Sequence, residues 1–272
     1  MLKKSWATLL VLLAFSLNLH ADNHKDKDQD HNEDKSDFPH AKLELNLLKK
    51  KHYAPMPVEL DASKSTAKKG NTLVMYEFDF GDGGPKKLIN SSKVNHIFEI
   101  LGNKDKQKYE VSLRVQDNLG NWSKVAKKNV ELKQIPDPGE LGKKTIKGID
   151  VDEDGVRDDI QLYISHKFKD ETPIVREALR KYSISITKNL LSSQNKIQNV
   201  IDSHATLDRL MCVLYFKSKN KNVDEKVYGR MINTKERVLA ETLSDKNFNG
   251  ETRRLKQNED HSKFCDFDLN QF

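Results

Sequence analysis

Tyr109-Glu110-Val111-Ser112-Leu113-Arg114-Val115-Gln116 alternates apolar and polar residues without a break. Tyr109, Val111, Leu113 and Val115 can share one face of a strand, with Glu110, Ser112, Arg114 and Gln116 on the other. The same period of two recurs upstream in Leu43, Leu45 and Leu47, and again in Val58 and Leu60. Glycine, asparagine and aspartate turns separate such runs roughly every ten residues, the spacing of a β-sandwich. The pattern predicts an all-β sandwich over residues 41–133, with its last strand at 126–132. Ile135-Pro136-Asp137-Pro138-Gly139 ends it, because two prolines cannot continue a sheet.

Within this region a series of short motifs follows in order. Leu60-Asp61-Ala62-Ser63 comes first, then Tyr76-Glu77-Phe78-Asp79-Phe80-Gly81-Asp82-Gly83, then Val94-Asn95-His96-Ile97-Phe98 and Gly102. Asp117-Asn118-Leu119-Gly120 closes the series. It resembles the PKD domain, an immunoglobulin-like β-sandwich common on secreted and cell-surface proteins. The resemblance departs at Phe78, where that family usually has tryptophan. The residues also explain themselves. Phe78 and Phe80 share a core face, Gly81 and Gly83 free the backbone, and Asp79 and Asp82 can bond turn amides. His96, between Val94 and Phe98, reads as a hydrogen-bonded structural histidine.

Past a linker over residues 134–149, Asp150, Asp152, Asp154, Gly155, Val156 and Asp158 spell D-x-D-x-D-G-x-x-D. Alternate aspartates in a tight loop converge their oxygens; the glycine supplies the sharp turn, and Val156 can add its carbonyl. Residues 150–159 carry six acids against Arg157, a local charge of −5. Hard, oxygen-seeking Ca²⁺ suits such a set. The loop resembles those of EF-hands, dockerins and thrombospondin type 3 repeats. Position twelve of the 150–161 loop is Gln161, not the bidentate glutamate of an EF-hand, which leaves Asp158 or Asp159 to complete the shell. Weak structural binding follows, with a dissociation constant on the order of 0.1–1 mM. Asp245-Lys246-Asn247-Phe248-Asn249-Gly250 is a faint echo that reads as a turn.

From there the period becomes helical, predicting an α-helical domain over 162–272. Ile160, Ile164 and Phe168 begin it; Thr172 before Pro173 is a helix start, followed by the stripe Ile174, Ala178, Tyr182, Ile186 and Leu190. Val200, Leu207, Leu210, Met211 and Leu214 form a second stripe, and Val227, Met231, Val238 and Leu239 a third. Such stripes are mutual packing faces. Cys212 falls on the second, and Cys265 lies near the C-terminus in a stretch too short to hold itself in place. In an exported chain the two are expected to form a structural disulfide.

Export is the reading of the N-terminus. Lys3 and Lys4 precede a short apolar run over 6–17, and Ala21 offers a small residue for cleavage, so residues 1–21 read as a signal peptide. No cysteine follows to accept a lipid anchor. Residues 22–40 have almost no apolar side chain and read as a disordered tether. The alternative is metal buffering by His24, His31 and His40 among the tether's aspartates. The chain is 36% hydrophobic and 32% charged, which fits two modest cores better than one large core. A net charge of +6 is mild at 272 residues and points to no nucleic acid. Lys49-Lys50-Lys51 and the lysines of 217–221 alternate with no stacking aromatics and read as solvated faces. No apolar run after the signal peptide is long enough to span a membrane.

No nucleophile elbow, zinc-protease motif or phosphate loop occurs. The expectation is a secreted or periplasmic, non-catalytic protein of bacterial type, for binding, adhesion or spacing. The PKD resemblance implies contact with protein or carbohydrate at the cell surface. Two alternatives stand beside it: a secreted enzyme using His166, His204 or His261 in the helical half, and a periplasmic metal-binding protein.

Overall fold

The structure is a computed structural model that describes residues 38–216, 218–251, 260–269 and 272. The expected signal peptide and residues 22–37 of the expected tether, with His24 and His31, lie outside the described residues, but its last three residues are ordered, with Pro39 buried. His40 lies within them and exchanges two backbone hydrogen bonds with Thr66, at 2.8 and 3.0 Å.

Among the described residues, seven antiparallel strands form two sheets. β1 (Glu44–Leu47), β2 (Met56–Asp61) and β5 (Lys93–Phe98) make a three-stranded sheet in the order β1-β2-β5. β3 (Leu73–Asp79), β4 (Lys87–Ile89), β6 (Lys106–Asp117) and β7 (Ala126–Lys133) make the other, in the order β4-β3-β6-β7. The alternation of β6 is obeyed: Val111, Leu113 and Val115 are fully buried, while Glu110 is exposed and Arg114 bridges to Glu77 on β3. Met56, Val58, Leu60, Phe78, Phe98 and Leu132 complete a core between the sheets.

The expected turn architecture is present. Asp79 accepts from the Gly81 N–H at 3.0 Å, and Asp82 from that of Gly84 at 2.9 Å. Gly81 has φ +72°, and a Cβ there would sit 2.3 Å from the Glu110 carbonyl oxygen. Buried Asp117 gathers the Leu119 and Asn121 N–H groups and the Asn71 amide. His96 lies flat on Phe80, ring centroids 3.9 Å apart, and its Nε2 is 2.7 Å from Asp82 Oδ2.

Five α-helices follow among the described residues: α1 (Asp158–Lys167), α2 (Pro173–Ser192), α3 (Lys196–Tyr215), α4 (Val223–Met231) and α5 (Lys235–Phe248). Thr172 caps α2 by accepting from the Val175 N–H. The stripe of α1 is buried as expected, as is that of α2 from Ala178 onward. Two stripes differ. On α3, Leu210 and Met211 pack against the helical core as expected, but Leu214 is exposed and the buried positions are Asn199, Ser203, Cys212 and Val213. The third stripe is broken by the turn at Ile232–Asn233: Val227 and Met231 are buried on α4, but Val238 and Leu239 are exposed on α5. The faint echo is corrected in part: Asp245 to Phe248 are the last turn of α5, and the turn is confined to Asn249 and Gly250. Cys212 and Cys265 are joined by a disulfide.

Candidate metal centre and the seam beside it

The D-x-D-x-D-G loop lies between the linker and α1, against the sandwich. Gly155 at its sixth position has φ +90°, the left-handed turn that glycine permits. Asp150 accepts the N–H groups of Asp154 and Gly155, and Asp158 Oδ1 accepts that of Val151 at 3.0 Å. These bonds curl the loop so that one carboxylate oxygen each from Asp150, Asp152 and Asp158 lies within 4.8 Å of the others.

Asp154 and Asp159, also expected as ligands, stand outside this trio. Asp159 is gripped by Arg157 through two bonds of 3.0 and 2.8 Å. Asp154 uses Oδ1 for the Val156 N–H and Oδ2 for Lys49. Val156 has its side chain in the helical core. The Asp152 side chain is fully buried, and its Oδ1 has no hydrogen-bond partner among the described residues. Burial and the Asp154 charge push its carboxyl up, against the pull of Lys49. Burial, with the neighbouring aspartates, raises Asp158 to about 6. An orphaned buried oxygen within a trio of hard carboxylates fits a cation such as Ca²⁺.

Around the loop the sandwich and helices meet along a seam. Lys51 donates to the Val151 carbonyl at 2.5 Å and to Glu153 at 3.1 Å. The Gln161 amide donates to the Ala54 carbonyl at 2.8 Å. Deeper in, Glu99 at the end of β5 is held by two arginines of α2. Arg176 Nε lies 2.9 Å from its Oε2 and Arg180 Nη2 2.5 Å from its Oε1, with all three side chains buried. Burial opposes ionisation of Glu99, but the two guanidinium groups outweigh it and hold the carboxyl low. Sequence reading missed these contacts, which join residues 77 to 107 positions apart.

Beside the seam runs a cleft of about 490 Å³ lined by Asp105, Gln134, Tyr163, His166 and Arg230. His166 is exposed there, whereas His204 packs edge-on against Phe248 elsewhere. The side chain of His261 lies outside the described residues. The candidate catalytic histidines are thus not brought together among the described residues.

Residues 48–132 match the family model of the PKD domain, so the match covers most of the sandwich and none of the helices. No curated protein matches the chain. Among solved structures, the PKD1 domain of Vibrio anguillarum Epp is 20% identical, spanning 36% of this chain and 96% of that one, with a TM-score of 0.27. The PKD1 domain of the Vibrio cholerae metalloprotease PrtV is 18% identical over 36% and 99%, also with a TM-score of 0.27. A structure described for the promiscuous specificity of carbohydrate-binding modules from the β-sandwich superfamily is 21% identical. It spans 44% of this chain and 41% of that one, with a TM-score of 0.28.

Proposed function

We propose that this chain is an exported, non-catalytic binding or spacer protein. Its PKD-like sandwich contacts protein or carbohydrate at the cell surface, and a weakly held Ca²⁺ fixes the loop at the seam. The PKD match supports the binding or spacing role. The Cys212–Cys265 disulfide supports an oxidising compartment. Among the described residues no helix is long and apolar enough to cross a membrane. The observation that carries the calcium reading is the buried, unpartnered oxygen of Asp152, a member of the Asp150/Asp152/Asp158 trio. A ligand that binds only the folded state raises the melting temperature with concentration. Several millimolar calcium should therefore raise the melting temperature of the full chain, and Asp152→Ala with Asp154→Ala should abolish the response. A melting curve indifferent to calcium at that concentration rejects the site.

A further inference from the structure

Lys49 belongs to the sandwich, on the connection between β1 and β2, yet its ammonium lies 3.0 Å from Asp152 Oδ2 and 2.9 Å from Asp154 Oδ2. It is well sheltered there, with 19% of its side chain exposed against 11% for Asp154. In a D-x-D-x-D-G loop the first, third and fifth residues converge on the ion. Here the first and third do so, but the fifth, Asp154, is turned toward Lys49. Asp152 is divided between the two: Oδ2 faces the ammonium, and the buried Oδ1 has no partner among the described residues.

We propose that Lys49 is a built-in competitor for the cation of this loop, so that a divalent ion and the lysine ammonium displace one another from Asp152 and Asp154. The inference rests on the cation reading above. Two carboxylates shared by an ammonium and a divalent ion would bring like charges close together in a sheltered site, where water screens them poorly. The ion carries the larger charge and accepts six or more oxygens, so it can draw Asp154 into the trio once the lysine leaves. Linkage makes the effect reciprocal: whatever removes Lys49 tightens cation binding, and the cation frees Lys49. Lys51 has a different role, because its partners are a backbone carbonyl and Glu153, whose side chain is 81% exposed. Calcium would thus trade one of the two lysine tethers of the seam for a fixed loop, leaving Lys51 and Glu99 in place.

The test is calorimetric titration of the full chain with Ca²⁺ alone, using wild type, Lys49→Met, Lys49→Gln and Lys51→Met. Both Lys49 variants should bind calcium about tenfold more tightly than wild type, within the usual range of such couplings. Lys51→Met should change affinity by less than about twofold, as for a surface ion pair. In wild type, calcium should also raise the acetylation rate of Lys49 by an amine-reactive ester, read by mass spectrometry, with Lys64 unchanged. Equal or weaker affinity in the Lys49 variants, or Lys49 reactivity unmoved at calcium saturation, overturns the competition while leaving the site. Absence of binding heat in all four proteins removes the cation reading, and this inference with it.

Discussion

Glu241 on α5 is a half-buried carboxylate in an unfavourable position. The Tyr228 hydroxyl donates to its Oε1, but its Oε2 is buried without a partner among the described residues. Burial raises its pKa from 4.5 to about 7, and the charge of Asp245 adds to the rise; Tyr182 on α2 also feels its charge. The folded state therefore holds this proton more tightly than the unfolded state. Stability contributed by the protonated form is complete below pH 4.5 and is lost as pH rises through about 7. Glu241→Gln keeps an oxygen for Tyr228 and removes the charge. It should leave stability unchanged at pH 4.5 and raise it by about 1–2 kcal/mol at pH 8, after allowance for solvent screening. Urea unfolding at both pH values measures this, and an equal effect at each would show that the charge is not the cause. Nothing in the spacing of α5 announces this group, because its inward face is polar: Arg237 is fully buried and donates to the Gly142 and Thr145 carbonyls.

Elements were legible where one physical rule governed them. β6 follows its alternation because one of its faces is core, and α2 starts where Thr172 and Pro173 cap it. The phase of α3 was legible only in part: Leu210 and Met211 pack against the helical core, but Asn199 and Ser203 bring hydrogen-bonding groups to its inward face. Asn189 Oδ1 on α2 accepts from Asn199 at 2.7 Å and Ser203 at 2.9 Å on α3, and from Ser244 at 3.0 Å on α5. Where a helix is held by a buried polar hub, the hydrophobic period weakens and its phase is harder to read. What secures α3 to the C-terminal segment is the Cys212–Cys265 bridge. Arg209 assists by donating to the Phe264 carbonyl and lying 3.3 Å from Asp266. The bridge spans a sequence separation of 53 residues. Constraint of the unfolded chain over such a loop is worth about 4 kcal/mol. Cys265→Ser, or reduction of the wild type, should lower unfolding free energy by an amount of that order in a denaturant titration. A loss under about 1 kcal/mol would mean that the C-terminal segment is held by its packing alone.

At the scale of the whole molecule, the described residues build two hydrophobic cores and one polar seam. The cores were foreseeable from a period of two giving way to a period of four. The seam was not, because Lys49 and Asp152 are 103 residues apart and carry charges indistinguishable in sequence from the solvated ones around them. The centre of the seam is the Glu99–Arg176–Arg180 cluster, in which two buried guanidinium groups share the Glu99 carboxylate and Arg180 also reaches Glu177 at 3.3 Å. Removing Glu99 takes from both guanidinium groups their shared carboxylate, leaving Arg180 with Glu177 and Arg176 with backbone carbonyls, at about 3–5 kcal/mol. Glu99→Ala should therefore destabilise the protein by that amount and also uncouple its halves. The sandwich core and the helical core have no residue in common, so each can persist once the seam is weakened. Scanning calorimetry should show one cooperative transition for wild type and two for Glu99→Ala, the lower one belonging to whichever core depends more on its neighbour. Replacing Glu99, Arg176 and Arg180 together by leucine removes the stranded charges and should recover most of the lost stability. A single, unshifted transition in Glu99→Ala would mean that the seam contributes nothing to cooperativity. The sandwich and helices would then be coupled by the 134–149 linker, the lysine tethers and the bonds of Gln161 to Ala54 and of Gly102 to Ser165.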